Sequence, residues 1–156
     1  MAVHRLRLPR ELRSVTAYID PSRANFDAFK ALPRDEPIHM LNLLRYRQRA
    51  EYPAGHPNEG KGWSGRRAYE EYSVTSGPIF RRVGGSLAWR GAFQTMVTGP
   101  DDETWHDGFV AQYPNAAAFL EMIKDPDYQQ AVVNRTAALS DSRLVRFAPQ
   151  VAGTGF

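Results

Sequence analysis

The sequence contains no cysteine, and this absence excludes disulfide bonds and metal sites built on thiolates. A chain without disulfides is typical of a reducing compartment, so we expect a cytoplasmic protein. No apolar run approaches the roughly 20 residues that a membrane-spanning helix needs, and the basic N-terminus lacks the apolar core of a signal peptide. We therefore expect no membrane partner.

Lysine is scarce, with 3 residues against 17 arginines, and the net charge is +3. Residues 1–50 hold ten basic and five acidic side chains, whereas residues 101–156 hold four basic and eight acidic ones. The basic residues are scattered, and no predicted helix carries them along one side. Net charge alone governs non-specific association, so we expect no nucleic-acid partner.

Several catalytic signatures are missing as well. The sequence has no phosphate-binding glycine loop, no dinucleotide-binding fingerprint and no nucleophile elbow. Its histidines, at positions 4, 39, 56 and 106, do not show the spacing of metal ligands on one helix or strand. We accordingly expect neither a cofactor nor a metal.

From residue 38 onward, the apolar periodicity and the Gly/Pro breakers predict the order β, α, β, β, α, β. Strands are predicted at about 38–46, 86–97, 106–114 and 141–149, and helical segments at about 64–85, 115–124 and 125–139. Asn115 and Asp125 are the expected N-caps of the last two helical segments. Pro78 is expected to kink or split the first one near Gly77.

This order predicts an α+β protein with the ferredoxin-like βαββαβ topology, in which the first and third strands are central. The expected domain spans 36–148. It follows an extension, 1–35, whose helix is expected to be capped by Asp20, and it precedes a tail, 149–156. Helices cover one face of the sheet. The other face is apolar and would be exposed in a single chain. Packing against a second copy of the chain would cover it, so we expect a homodimer.

Three segments in this order resemble the family named domain of unknown function 1330: MLNLLRYR at 40–47, YPNAAAFLEMIKDPDY at 113–128 and RTAALSDSRL at 135–144. The resemblance covers about residues 36–147. That family is similar to the dimeric α/β-barrel superfamily, in which two ferredoxin-like sheets pack face to face and enclose pockets. Relatives by fold include cofactor-independent monooxygenases, isomerases and haem-handling proteins. The resemblance therefore implies a homodimer with a pocket, but no particular reaction, because fold does not fix function.

Asn42 lies inside the most apolar run of the chain, and strand alternation places it on one face with Met40, Leu44 and Tyr46. A buried amide without a partner costs about 1–3 kcal/mol. Asn42 is therefore expected either to fix the strand register through a neighbouring side chain or to orient a ligand. An apolar wall with one polar group is typical of a small-molecule site, although it also describes a dimer interface.

Arg45 and His106 are the candidate catalytic residues. The Arg45 guanidinium either clamps a carboxylate or enolate at the mouth of a pocket or forms an ion pair with Glu70 or Glu71. His106 is either a general base oriented by its neighbour Asp107 or a histidine of a surface turn.

Tyr72 and Trp89 are candidate ligand-binding residues together with Asn42 and Tyr46, although aromatic residues at helical spacing are also typical of a core. Trp89 is expected on the same face as Leu87. Segment 48–64 is rich in breakers and is predicted to be a long loop. It is either a lid from which His56 could act, or a mobile loop in which His56 is merely solvated.

Arg135, Asp141 and Arg143 are expected to form a salt-bridge network that ties the last helix to the last strand. Arg135 and Arg143 carry the alternative interpretation of anion binding as well.

Two functions stay open. The first is a cofactor-independent enzyme, of the monooxygenase or isomerase type, that acts on a small carbonyl or aromatic compound. Asn42 or Arg45 would orient an oxyanion in it, and His106 would be the base. The second is a non-catalytic homodimeric binding or interaction protein whose buried polar residues only set the strand register.

Overall fold

The computed structural model describes residues 16–153 and 155 of the 156-residue chain. The sequence predictions for residues 1–15 lie outside this range. In chain order the elements are α1 (Arg23–Ala31), β1 (Ile38–Tyr46), a 3-10 turn (Glu59–Lys61), α2 (Gly65–Arg82), β2 (Ser86–Ala92), β3 (Asp107–Tyr113), α3 (Ala116–Lys124), α4 (Pro126–Ala138) and β4 (Leu139–Phe147).

The strands form one four-stranded antiparallel sheet in the order β2-β3-β1-β4. This is the ferredoxin-like order, with the first and third strands in the centre, and the predicted α+β fold is confirmed. β1 pairs with β3 on one side and with β4 on the other, so neither of its edges is free. The next strand along the chain, β2, lies at one edge of the sheet.

The helices cover one face of the sheet, which we call the inner face. Ile38, Met40, Asn42 and Leu44 alternate along β1 and are buried on this face, whereas the residues between them are half-buried on the outer face. Alternation in a strand produces this pattern directly, because successive side chains point to opposite faces. The core therefore lies between the inner face and α2, α3 and α4.

Short polar side chains begin the helices. Asn115 accepts a hydrogen bond from the backbone N–H of Ala118 at 2.8 Å, and Asp125 caps α4 just before Pro126, both as predicted. The cap of α1 is Ser22 rather than Asp20, so that α1 begins at Arg23.

The predicted split at Pro78 does not occur, and α2 is one helix from Gly65 to Arg82. Proline removes one backbone donor from the helix. Because α2 packs along α4, tertiary packing holds the helix together across this position.

β2 ends at Ala92, well before the predicted limit, and it contains an irregularity that alternation does not predict. Leu87 pairs with Ala111, but Trp89 pairs with Val110, and the register shifts between them. Such a bulge inserts one extra residue and reverses the facing of all residues beyond it. Leu87 therefore faces inward and Trp89 outward, which corrects the expectation that they share a face.

Within residues 16–153, the structure contains no helix with both the length and the apolar character needed to cross a membrane.

Gly65 provides a test of how the first turn of α2 is packed. A Cβ atom at this position would lie 2.5 Å from the carbonyl oxygen of Ala138 and 2.6 Å from the backbone nitrogen of Arg47. Gly65→Ala is therefore expected to lower the free energy of unfolding by roughly 2 kcal/mol or more, because backbone atoms cannot move aside as a side chain can. Urea denaturation would measure the change. Gly60→Ala is the control, since a Cβ atom there meets nothing within 4 Å. Equal stability of the two variants would contradict this packing.

Candidate functional site

A cavity of about 1440 Å³ lies between the inner face of the sheet and the helices. The surface of its lining is predominantly apolar, but five arginines also border the cavity: Arg23, Arg66, Arg81, Arg90 and Arg135. The sheet contributes Met40, Asn42, Leu44, Tyr46, Phe109 and Ala111, and α2 and α4 contribute Tyr69, Tyr72, Tyr128 and Arg135. Residues 20–23 and Phe26, which precede and begin α1, form a further wall.

One row of side chains crosses all four strands at the middle of the cavity. Arg90 of β2 lies opposite Phe109, Phe109 opposite Asn42, and Asn42 opposite Leu144 of β4. Directly opposed residues of antiparallel strands point to the same face. The row therefore places the amide of Asn42 between two apolar side chains on the cavity wall.

The amide of Asn42 is only partly satisfied by the protein. Its Nδ2 donates to the carbonyl oxygen of Met40 at 3.0 Å, and the residue is 7% exposed. Its Oδ1 accepts no hydrogen bond from the described part of the chain. Among these residues, the one fully buried side-chain polar atom without a hydrogen-bond partner is Arg47 Nε. Asn42 Oδ1 also lacks a partner, so it is not fully buried, and it is accessible from the cavity that Asn42 lines. A donor on a bound molecule can therefore reach this oxygen.

A polar cluster occupies one end of the cavity, where β1 meets β3. The Tyr46 hydroxyl donates to Asp107 Oδ2 at 2.7 Å, and Arg66 Nη1 donates to the same oxygen at 2.8 Å. The Arg66 guanidinium also lies 4.7 Å from the centre of the Tyr46 ring. Burial, followed by the bond to Asp107, raises the pKa of Tyr46 well above its ordinary value, so the phenol keeps its proton at neutral pH.

Tyrosines from the helices form the wall opposite the sheet. The hydroxyl groups of Tyr72 and Tyr128 lie 2.9 Å apart, and the Tyr69 ring packs against Tyr72 at 5.3 Å between centres. Burial raises the pKa of Tyr69 and of Tyr128 above the ordinary value. The tyrosines of this wall therefore offer neutral hydroxyl groups and ring faces.

Three of the sequence-predicted ligand-binding residues, Asn42, Tyr46 and Tyr72, line this cavity together. Trp89 lies elsewhere. The bulge in β2 turns it to the outer face, where it is 55% exposed and its ring covers Gly91. Trp89 therefore cannot contact a molecule in the cavity.

Arg45 also faces outward, because it alternates with Leu44 along β1. It forms an ion pair with Asp141 at 3.0 Å, not with Glu70 or Glu71, which lie on a helix beyond the other face. Arg143 shares the same carboxylate at 2.9 Å. The structure thus places Arg45 in an ion-pair network of the outer face and away from Asn42.

His106 is exposed and does not border the cavity. Its Nδ1 accepts the backbone N–H of Tyr46 at 3.0 Å, and its ring stacks on Tyr46 at 5.4 Å. Asp107, the expected orienting group, is bonded to Tyr46 and Arg66 instead. The general-base role therefore has no geometric support.

Segment 48–64 is a fixed loop rather than a lid. The Tyr52 hydroxyl donates to Asn134 Oδ1 at 2.6 Å, and the backbone N–H of Ala50 donates to the carbonyl oxygen of Trp63 at 2.9 Å. His56 stacks on Tyr52 within the loop. All of 48–64 is described by the structure, and none of it lines the cavity.

Sequence reasoning missed Phe109, Tyr128 and Arg66 as site residues. The sequence shows only that Phe109 and Tyr128 are apolar positions of a strand and a helix. The antiparallel register that brings Phe109 opposite Asn42 depends on contacts between residues far apart in the chain. In the described residues no group of His, Asp or Glu is arranged to hold a metal ion.

The comparisons agree with this fold. The sequence profile of the family described as "Domain of unknown function (DUF1330)" matches residues 64–147, a shorter span than the resemblance suggested. A protein of unknown function from Rhodopseudomonas palustris, RPA0582, is 47% identical, with a TM-score of 0.80, covering 88% of this chain and 100% of that one. The structure of methylated RPA0582 gives 47% identity and a TM-score of 0.81, covering 89% and 99% of the two chains.

A more distant similarity links the chain to a DABB-family protein with a ferredoxin-like fold from Mesorhizobium loti. It is 12% identical, with a TM-score of 0.41, covering 74% of this chain and 98% of that one. A comparison with curated proteins finds no match.

The outer-face ion pairs generate a prediction about pH. The Asp141 side chain is 5% exposed. Burial alone would raise its pKa, but the N–H groups of Tyr18 and Ser142, with the Arg143 guanidinium, outweigh burial and lower the pKa below its ordinary value. Asp141→Asn is therefore expected to lower the free energy of unfolding at pH 7 by roughly 3 kcal/mol.

A carboxylate with a lowered pKa stabilises the folded state above its unfolded pKa of about 3.9, and this contribution is lost as the pH falls through the folded value. Urea denaturation should therefore show that the difference between wild type and Asp141→Asn narrows as the pH falls below about 4. Asp101→Asn, at an exposed position, is the control. A difference that is independent of pH would contradict the ionised state of Asp141.

Proposed function

We propose that this chain, which belongs to the family described as domain of unknown function (DUF1330), binds a small aromatic or carbonyl compound in the cavity between its sheet and its helices. The observation that carries the proposal is the open Oδ1 atom of Asn42 in an otherwise apolar stretch of wall. Polar atoms in apolar surroundings nearly always have a hydrogen-bond partner, so either water or a ligand must supply the partner of this oxygen.

The make-up of the cavity supports this proposal. Binding sites for small molecules are usually concave and apolar, with a few polar groups that fix orientation, and their volumes are about 300–1,000 Å³. The cavity here is roomier than that, at about 1440 Å³. Phe109 on the sheet and Tyr72 on α2 are among the aromatic side chains of the lining, and aromatic rings pack favourably against a planar molecule.

Proton transfer on the bound compound is a second candidate function, and the Tyr46–Asp107 pair favours it. A phenol that keeps its proton and a carboxylate 2.7 Å away can donate and accept, respectively, at the same end of the cavity. In this version Tyr46 and Asp107 take the roles that the sequence suggested for Arg45 and His106. It needs no cofactor.

The amide of Asn42 can be tested with two aromatic probes of similar size. The hydroxyl of 2-naphthol can donate to Asn42 Oδ1, whereas 2-methylnaphthalene cannot donate. Wild-type protein is expected to bind 2-naphthol about tenfold more tightly, which corresponds to one hydrogen bond of about 1.4 kcal/mol. Fluorescence titration of the probes would measure both dissociation constants.

Asn42→Leu is expected to remove this preference while the protein stays folded, because it fills the site with an apolar side chain of similar volume. Asn58→Leu is the matched control, since Asn58 lies in the loop 48–64 and outside the cavity. If Asn42→Leu binds both probes as wild type does, Asn42 only sets the strand register. If neither probe binds wild-type protein, the proposed function is wrong.

We propose further that two copies of the chain associate through the outer face of the sheet. Trp89, Val110, Leu41 and Val145 form one row across all four strands of that face. Val145 is 40% exposed, and Phe147 in the same strand is 52% exposed. Large apolar side chains in one continuous patch are typical of an interface, and a two-fold axis would pair this patch with itself.

Val145→Asp is expected to convert this dimer to a monomer, because it would bury an unpaired charge in the interface. Size-exclusion chromatography with light scattering would measure the mass. Val97→Asp is the control, since Val97 is exposed in the segment between β2 and β3. A dimer that survives Val145→Asp, or wild-type protein that is a monomer, would contradict this arrangement.

A further inference from the structure

Arg135 of α4 is a buried cation on the cavity wall. It is 8% exposed, although it lies in the last turn of a helix where arginine side chains usually reach solvent. It borders the cavity close to Tyr69 and Tyr128, the aromatic side of the site.

The partners of Arg135 are all neutral. Its Nη1 donates to the carbonyl oxygen of Ile19 at 2.7 Å, and its Nη2 donates to Ser142 Oγ at 3.4 Å. Among the residues that the structure describes, no carboxylate lies within ion-pair distance of Arg135. The salt bridge expected for Arg135 from the sequence is therefore replaced by bonds to a backbone oxygen and a hydroxyl group.

The acidic residue next to Ser142 already forms ion pairs with other arginines. Asp141 adjoins Ser142 in β4, but its carboxylate points to the outer face and binds Arg45 and Arg143. Asp107 lies in the same cross-strand row as Ser142, with Leu44 between them, and it is paired with Arg66. The other arginines that border the cavity, Arg23, Arg81 and Arg90, are exposed. Arg135 thus differs from these arginines, because it is buried and lacks a negative partner in the described chain.

A buried charge without a counter-charge is costly, by several kcal/mol per ion even after relaxation. An arginine in this state gains most from an anion that enters the cavity, because the guanidinium matches the planar geometry of a carboxylate. We infer that Arg135 is the anion-binding residue of the cavity and that its ligand is a small aromatic carboxylate. This inference rests on the proposed function and narrows its ligand class.

The sheet register sets the size of such a ligand. Ser142, which Arg135 contacts, lies opposite Leu44, two residues from Asn42 along β1. Ser142 and Asn42 are therefore diagonal neighbours on adjacent antiparallel strands, and such residues are about 7–8 Å apart. A molecule with its carboxylate at Arg135 and a hydroxyl or N–H group at Asn42 therefore needs one or two rings between the two groups.

The inference can be tested with a carboxylate and its neutral amide, 2-naphthoate and 2-naphthamide, by isothermal titration calorimetry. Wild-type protein is expected to bind the carboxylate at least tenfold more tightly than the amide. Arg135→Gln should abolish this preference without weakening the binding of the amide. Arg49→Gln is the matched control, because it removes the same charge from an exposed position outside the cavity, and it should leave the preference unchanged.

The outcomes separate this inference from the proposed function. If the carboxylate and the amide bind wild-type protein equally, or if Arg135→Gln keeps the preference, the inference is overturned while the cavity remains a binding site. If neither probe binds, the proposed function and the inference both fail. Should Arg135→Gln not fold, Arg135→Lys keeps the charge but loses the bidentate fork. The inference expects Arg135→Lys to reduce the preference for the carboxylate, and an unchanged preference overturns it.

Discussion

Alternation along the central strand β1 is the constraint on which the rest of the structure depends. β1 is paired on both sides, so its side chains can go only inward to the helices or outward. Leu44 and Met40 go inward and form the core, and Asn42 between them has to follow. Arg45 has to point outward, where it forms an ion pair with Asp141. The same rule therefore places an amide in the cavity and a cation outside it.

The residues that the sequence suggested for one site therefore lie on the two opposite faces of the sheet. The inner face carries the polar atoms that suit a small organic molecule, from Asn42 in the middle to the Tyr46–Asp107 pair at one end. The outer face carries an apolar row and, beside it, the ion pairs of Asp141. A single pocket with Asn42, Arg45 and Trp89 is excluded, since the sheet itself separates them.

The sequence predicted what depends on local rules: the βαββαβ order, the extent of β1 and the caps of α3 and α4. Prediction from the sequence failed where contacts between residues far apart in the chain determine the structure. The ion-pair partner of Arg45 is 96 positions away in the chain, so the predicted ion pair with Glu70 or Glu71 is wrong. The bulge that turns Trp89 outward is set by the pairing of β2 with β3, and the packing of α2 on α4 outweighs Pro78. The buried state of Arg135 depends on Ile19 and Ser142, which no local pattern links to it.

The most direct test of a ligand cavity in this chain is native mass spectrometry of the protein as purified and after incubation with small aromatic acids. We expect a species at twice the chain mass that carries a small organic adduct, which is released on stronger activation and is less abundant in Asn42→Leu. A bare chain that takes up no aromatic acid under any of these conditions would contradict this expectation.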